Sequence, residues 1–465
     1  MFTTIKLSLW PDLGTALRCN SMQPIIRYFS AIRQFLKLND ERRIAYLRRP
    51  WRDFTRASPL TFARTVSLVL NLARQSLAVE LGRFFHWQPE AIVTKSAFCQ
   101  RRKAIEPGFF QDLFYRTAQQ FYRCFPDYKR WRGKRLVAVD GTGLRLPNES
   151  WLGEAFGFHK NQHDCRPSVR LVCTLDVLNN VLMRVDMHTQ NSAEIVEAYQ
   201  NVEHLPRKGI YIYDRHYASF GLAYLHQRHG SDYVIRMPLD GATIIQNFVK
   251  SGAEDQIIKV KLGVGRAYRK MKALGLDPKL HTEFTVRRVR VELDDGEVEV
   301  LMTSLTDRAR YPTADFKWLY GERWGVETAI FTLKSFLQLA LVSAYTQPGV
   351  EQDLWASFAF YNQQSALVSA CQAEVERRTQ HRQYEYKVNR NVTAALIQKF
   401  LYHIYLDGPA RWRSRTRVLL KLVPRYTEPY RPDRNRARGK EKCCGPMTAI
   451  PTKKTIAKRC KHPQG

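Results

Sequence analysis

"YGERWGVETAIFTLK", residues 320–334, reads as a helix that carries two different faces. Tyr320, Arg323, Glu327 and Lys334 recur at offsets of 3, 7 and 14, which at 100° per residue fall within an arc of ~60°. Leu319, Val326, Ile330, Leu333 and Leu337 make a separate apolar stripe beside it. The spacing predicts one continuous helix, with a buried stripe and a polar face reserved for another task. An exposed Arg323–Glu327 pair is worth only about 0.2–0.5 kcal/mol. It would explain one pair and not the array. Glu322 lies ~140° around the helix from Glu327, so Glu327 is the carboxylate of the polar face. Trp324 is read as core.

Upstream, "RLVAVDGTGLRLP" (135–147) is a β run that reaches Asp140, and "GIYIYDRHYASF" (209–220) is another that reaches Asp214. Carboxylates at strand ends face the edge of an α/β sheet where ligands collect. Either aspartate alone is an ordinary turn or cap residue. Both together with Glu327 are a different matter. Three converging carboxylates repel and raise one another's pKa unless a cation intervenes. Oxygen donors suit Mg²⁺ or Mn²⁺, and two such ions ~3.5–4 Å apart can serve phosphoryl transfer. Arg323 and Lys334 suit a DNA phosphate, and Tyr320 can hydrogen-bond to one. Gly141–Gly143 lacks the rest of a dinucleotide fingerprint and is read as a turn beside Asp140. No phosphate-binding loop with Lys-Ser or Lys-Thr is present, so no nucleotide is expected.

The order of elements predicts a mixed α/β sheet. Asn179-Asn180 marks a hairpin, Ser192 caps a helix, and Asp295-Gly296 marks a second hairpin. The expected division is a helical basic DNA-binding region over 1–130, a catalytic core over 131–238 and a β-rich insertion over 239–310. The Glu helix follows over 311–345, then a helical region over 346–428 and a disordered basic tail over 429–465. In the first region Arg101, Arg102 and Lys103 fit either a helix entering a DNA groove or a solvated basic face.

Composition narrows the partner. The 465 residues carry 74 Lys plus Arg against 43 Asp plus Glu, a net charge of +31. That excess calls for a polyanion: DNA, RNA or an anionic membrane surface. No apolar run approaches the roughly 18 residues of a membrane span. Pro11 and Asp12 interrupt the N-terminal apolar patch, which makes a poor signal peptide. Nine scattered cysteines fit a reducing compartment, with Cys443, Cys444 and Cys460 as free thiols rather than a zinc site with His462.

"LYGERWGVETAIFTLK" (319–334) contains Y-x2-R-x3-E-x6-K, with Trp324 after the arginine, and resembles the DDE transposases of the insertion-sequence-four family. "LVAVDGTGLRLP" resembles that family's first catalytic-Asp block and "YDRHYASF" its second. "TKSAFCQRRKAIEPGFF" (94–110) resembles the helical segment upstream of many members' catalytic domains. The resemblance spans 90–405, and His216 departs from the family's usual residues after Asp-Arg. It implies an RNase H-like fold in which Asp140, Asp214 and Glu327 hold two Mg²⁺ (or Mn²⁺) ions. Water would cut the element end, and the freed 3′-hydroxyl would attack a second phosphodiester. The implied partners are double-stranded DNA, at element ends and target, and a second copy of the chain in a synaptic homodimer. No membrane or nucleotide partner is implied, and the implied location is the bacterial cytoplasm, on the nucleoid. Two other readings stand beside it: a catalytically inactive, transposase-derived DNA-binding protein, and another RNase H-like DNA nuclease such as a junction resolvase.

Overall fold

Residues Gly209–Tyr213, "GIYIY", are buried without exception, as a strand covered on both faces must be. In the computed structural model, which describes residues 22–37, 40–72, 74–160, 165–190, 193–294 and 296–430, this strand (β5) lies near the middle of a large sheet. β1 (Arg135–Arg145) runs parallel to it, with Ala138 opposite Ile212 as the last pair. On the far side of β1, β3 (Cys165–Asp176) is antiparallel and carries both β4 (Val181–Thr189) and the short β2 (Phe158–Lys160). On the other side of β5, β6 (Asp232–Met237) is parallel. The order then continues antiparallel through β9 (Val298–Thr303), β8 (Glu283–Glu292) and β7 (Asp255–Lys261). Residues between β6 and the Glu327 segment therefore extend the same sheet.

The period of two sorts the side chains onto two faces. Val137, Val139, Tyr211 and Tyr213 join one core with α8 (Glu194–Asn201), α9 (Phe220–His229) and α10 (Thr243–Lys250). Leu136, Ala138, Ile210 and Ile212 join the other. That second core is continuous with the helices. It runs through Ile25 and Phe29 of α1 (Met22–Leu36), Phe114 of α6 (Pro107–Cys124), Phe358 of α14 (Gln347–Thr379) and Leu401 of α15 (Arg390–Leu406). Helices from before and after the sheet thus share one hydrophobic interior.

Several local expectations are corrected. Gly141–Gly143 is not a turn: β1 runs through it to Arg145, paired with β3. Asn180 does turn the β3–β4 hairpin, with φ of 52°. Ser192, Asp295 and the tail from 431, with its cysteines and His462, lie outside the described residues, as do residues 1–21.

The largest correction concerns Arg102, at the end of α5 (Lys95–Arg102). It is 4% exposed and meets no phosphate. Its guanidinium donates to Gln352 Oε1 at 2.5 Å, Ser343 Oγ at 2.6 Å, the Gly349 carbonyl at 2.6 Å and Asp353 Oδ1 at 2.8 Å. Asp353 also pairs with Arg74 at 3.3 Å. Against the burial that would raise it, Arg102 and Arg74 hold the Asp353 carboxyl below its usual range. Asp353→Asn should lower stability by about 3–5 kcal/mol, because two buried guanidiniums lose their counter-charge. A urea titration checks the loss, and the salt dependence of DNA binding should not change.

Candidate active site

Asp140 follows Leu136 and Ala138 on the same face of β1, and Asp214 follows Ile210 and Ile212 on the same face of β5. Both lie just beyond the last parallel pair of these strands. Asp214 follows the end of β5, whereas Asp140 sits mid-way along β1, which continues to Arg145 paired with β3 and so does not end at the aspartate as its sequence suggested. Glu327 reaches that edge from α13 (Trp324–Phe331), which packs across β1 and β3. Gly325 permits the close approach, since a Cβ there would stand 3.0 Å from Val177 Cγ1.

The three carboxylates feel one another. Burial first, then the charge of Asp214 and more weakly that of Glu327, push the Asp140 carboxyl up to about 6. Arg323 and the Gly141 N–H, which donates to Asp140 Oδ1 at 2.9 Å, pull the other way. Each remaining acid has its own partner. Glu327 accepts from Arg323 Nη2 at 2.6 Å. Asp214 accepts from the His216 N–H at 2.8 Å and lies 2.8 Å from His216 Nδ1.

The Glu327 segment is not the continuous helix that its spacing predicts. α12 (Asp315–Gly321) ends early, and the chain tightens into three-residue bonds, Arg323 N–H to the Tyr320 carbonyl at 3.0 Å and Val326 N–H to the Arg323 carbonyl at 3.1 Å. Beyond α13 it widens into a π-turn at Thr332–Phe336. These two irregularities turn the expected outward face into a ring around the carboxylates. Tyr320 is 7% exposed, and its hydroxyl has no hydrogen-bond partner among the described residues. Burial, with the charges of Glu299 and Asp214, pushes that hydroxyl up to about 12 against the pull of Arg323. Arg323 faces Glu327 rather than solvent. Lys334 Nζ reaches back to Thr142 Oγ1 at 2.5 Å and the Gly143 carbonyl at 2.8 Å, bracing β1 next to Asp140. Trp324, expected in the core, is 52% exposed with the Arg323 guanidinium 5.5 Å from its ring.

Of the N-terminal basic residues, Lys103 is exposed. Arg101 donates to the Leu60 carbonyl at 3.0 Å and lies 4.5 Å over the Phe54 ring. One neighbour escaped the sequence reading altogether. Glu194, the first residue of α8, pairs with Arg170 and covers Gly141 so closely that a Cβ there would run into its carboxyl. Burial and then the charges of Glu194, Asp140 and Asp214 hold the Tyr217 hydroxyl well above its usual value. No periodicity marks Glu194, because it enters from a helix start across the sheet edge.

The family model described as "Transposase DDE domain" matches residues 131–363, half of the chain and all three acids. The chain belongs to the DDE transposase family. It is 27% identical over 274 residues to the transposase InsG of insertion sequence element IS4 from Escherichia coli K12. That match covers 58% of this chain and 60% of InsG. It is 26% identical over 129 residues to the putative transposase InsZ of the same organism, covering 27% of this chain and 42% of InsZ. The chain's matches thus span less than two thirds of either relative. A piggyBac transposase synaptic complex with hairpin DNA aligns at a TM-score of 0.42 and 9% identity, over 88% of this chain and 87% of that one.

DDE transposases use divalent metal ions, and the donor set here can be tested for fit. Among the described residues no three His, Cys, Asp or Glu side chains already stand grouped as metal ligands. Arg323 and His216 contact oxygens of Glu327 and Asp214. The chemistry nevertheless fits, since a carboxylate pushed up by burial and by two other carboxylates marks a site short of positive charge. Hard oxygen donors are what Mg²⁺ or Mn²⁺ takes.

Repulsion at Asp140 carries a pH signature. Its folded-state value lies above the ordinary 3.8, so the folded chain holds a proton that the unfolded chain has released. That contribution to stability is complete below about pH 4 and is lost as pH rises through about 6. Asp140→Asn, neutral at every pH, should exceed the parent by on the order of 2 kcal/mol at pH 8 in EDTA and match it at pH 4. Urea midpoints at the two pH values check this, and added Mn²⁺ should stabilise the parent more than the variant.

Proposed function

We propose that the chain is the transposase of an insertion sequence, cutting DNA at the element's terminal inverted repeats and joining the freed ends to a target by cut-and-paste. The observation that carries the reading is the electrostatic coupling of Asp140 to Asp214 and Glu327 at one sheet edge, in a chain of the DDE family. An RNase H-like core is supported by the order β4-β3-β1-β5-β6, three antiparallel strands followed by two parallel additions. We assign this core to residues 131–238 and 311–345. The strands between extend its sheet, and helical regions flank it. The +31 charge supports double-stranded DNA as partner, and the reading includes a homodimer on DNA in the bacterial cytoplasm. No helix among the described residues is long and apolar enough to cross a membrane.

In this proposal Asp140, Asp214 and Glu327 hold two Mg²⁺ or Mn²⁺ ions. The bound ions supply Lewis-acid stabilisation of the transferring phosphate and activation of the attacking oxygen. The protein's own groups prepare the site. Arg323 neutralises Glu327 while the site is free of metal, and turns to a phosphate oxygen when Glu327 turns away. Tyr320, with a hydroxyl unclaimed inside the protein, donates to the same phosphate. Lys334 fixes the strand beyond Asp140, and His216 fixes the Asp214 carboxyl.

Glu327→Gln keeps the shape of the side chain and removes its charge. It should bind DNA as the parent does and lose metal-dependent nicking by about a thousandfold, the several kcal/mol that metal positioning supplies. Nicking assays on DNA carrying the element ends, with Mg²⁺ or Mn²⁺, decide the matter. A variant that nicks at the parental rate removes Glu327 from the site.

A further inference from the structure

Residues 46–56, "YLRRPWRDFTR", form an arginine-rich turn on the surface, and the tip of it is Trp51. At 82% exposure Trp51 is the most exposed of the large apolar side chains among the described residues. Leaving an indole in water forfeits about 2 kcal/mol that burial would supply, so its position calls for a reason. Flexibility does not provide one, because the turn is pinned on every side. The Arg48 N–H donates to the Ala104 carbonyl at 3.0 Å. Buried Asp53 accepts from the Arg49 N–H at 3.0 Å and pairs with the Arg49 guanidinium at 3.1 Å. Phe54, in left-handed backbone with φ of 61°, is held by Phe62 edge-on at 5.5 Å and by Arg101 stacked above it. Arg101 then reaches the carbonyls of Leu60 and Arg56. This is the physical role of Arg101: it braces the turn.

The surroundings of Trp51 are all cationic. Arg48, Arg49, Arg52 and Arg56 are exposed, and no side-chain partner meets Arg48, Arg52 or Arg56 among the described residues. Beside the turn, a groove of about 640 Å³ continues the basic surface, lined by Tyr46, Arg42, Arg116 and Arg123. An exposed aromatic ring flanked in sequence by exposed arginines suits a nucleic acid better than a bilayer. Stacking on a base needs one ring face and phosphates to either side, whereas a membrane anchor needs a contiguous apolar surface.

We infer that the 46–56 turn is a DNA-contacting element separate from the carboxylate site, in which Trp51 stacks on a base at an opened or kinked step while the flanking arginines hold phosphates. The inference rests on the proposed function only for DNA as the partner. Stacking is neutral and phosphate pairing is ionic, so the two parts separate experimentally.

The test uses the intact chain in EDTA and a mixed-sequence duplex with a short central unpaired bubble, with binding followed by anisotropy across a salt series. Trp51→Ala should weaken binding by about 5- to 50-fold and leave the salt slope unchanged. Trp51→Phe should recover most of the affinity. Arg52→Ala should lower the slope by about one. The melting midpoint of Trp51→Ala should equal the parent's, since the ring is barely packed. Parental affinity for Trp51→Ala on the bubble duplex overturns the inference. So does a loss confined to phosphatidylserine vesicles, which would make the turn a membrane contact. Because no nicking is read, an inactive Glu327 site leaves the result intact, and a failed Trp51 result leaves the nicking reading intact.

Discussion

Like charges brought to one edge of a sheet are the constraint around which the rest of the molecule is arranged. The parallel pairing of β1 and β5 stops at Ala138 and Ile212, and the period of two aims Asp140 and Asp214, two residues on, to the same face. Adding Glu327 increases repulsion that burial already makes costly, and the Asp140 carboxyl rises to about 6 as a result. The neighbouring cations act on that repulsion. Arg323 sits where the Glu327 segment tightens, close enough to pair with Glu327 and to lower Asp140. Lys334 sits where the segment widens and ties into β1. The irregular helix is therefore part of the electrostatics: a regular one would put these groups on its own outer face.

This difference explains what the sequence could reveal. A strand's alternation is insensitive to small distortions, so the faces of Asp140 and Asp214 were legible from "VAVD" and "YIYD", and so was the strand end at Asp214, but not the continuation of β1 past Asp140. A helix accumulates angle with each residue, so one tightened and one widened turn redirect Tyr320, Arg323 and Lys334 without leaving any trace in the spacing. Trp324 fell on the wrong side of the surface for the same reason. Gly141 and Gly143 looked like a turn because glycine usually punctuates. Here Gly141 instead makes room for the Glu194 carboxyl, which belongs to an element some fifty residues further on. Long-range approach of this kind has no local signature.

Arginine was the least legible residue. Arg101, Arg102 and Lys103 are adjacent and alike in charge, yet one braces a turn, one is buried in a network with Asp353, and one faces solvent. Position around α5 separates them: successive residues point about 100° apart, so a run of three cannot share one environment. The buried member is the more consequential. Through Gln352, Ser343 and Asp353 it ties the helices ahead of the sheet to α14 behind it. An N-terminal region joined in this way shares one continuous core with the sheet that carries the three carboxylates.

The distribution of charge then makes the order of assembly a matter of physics. Across the whole chain the excess is +31, which draws a polyanion from beyond contact distance. At the edge formed by Asp140, Asp214 and Glu327 the sign is reversed, and a phosphate arriving there meets three carboxylates with Arg323 committed to Glu327. On the proposed function, a DNA backbone is thus attracted to the protein and repelled by its centre. Only added positive charge between the acids and the phosphate removes the conflict, and the same charge would release Arg323 from Glu327. In that proposal metal and DNA favour each other's binding at this edge, by the reciprocity that any such coupling obeys.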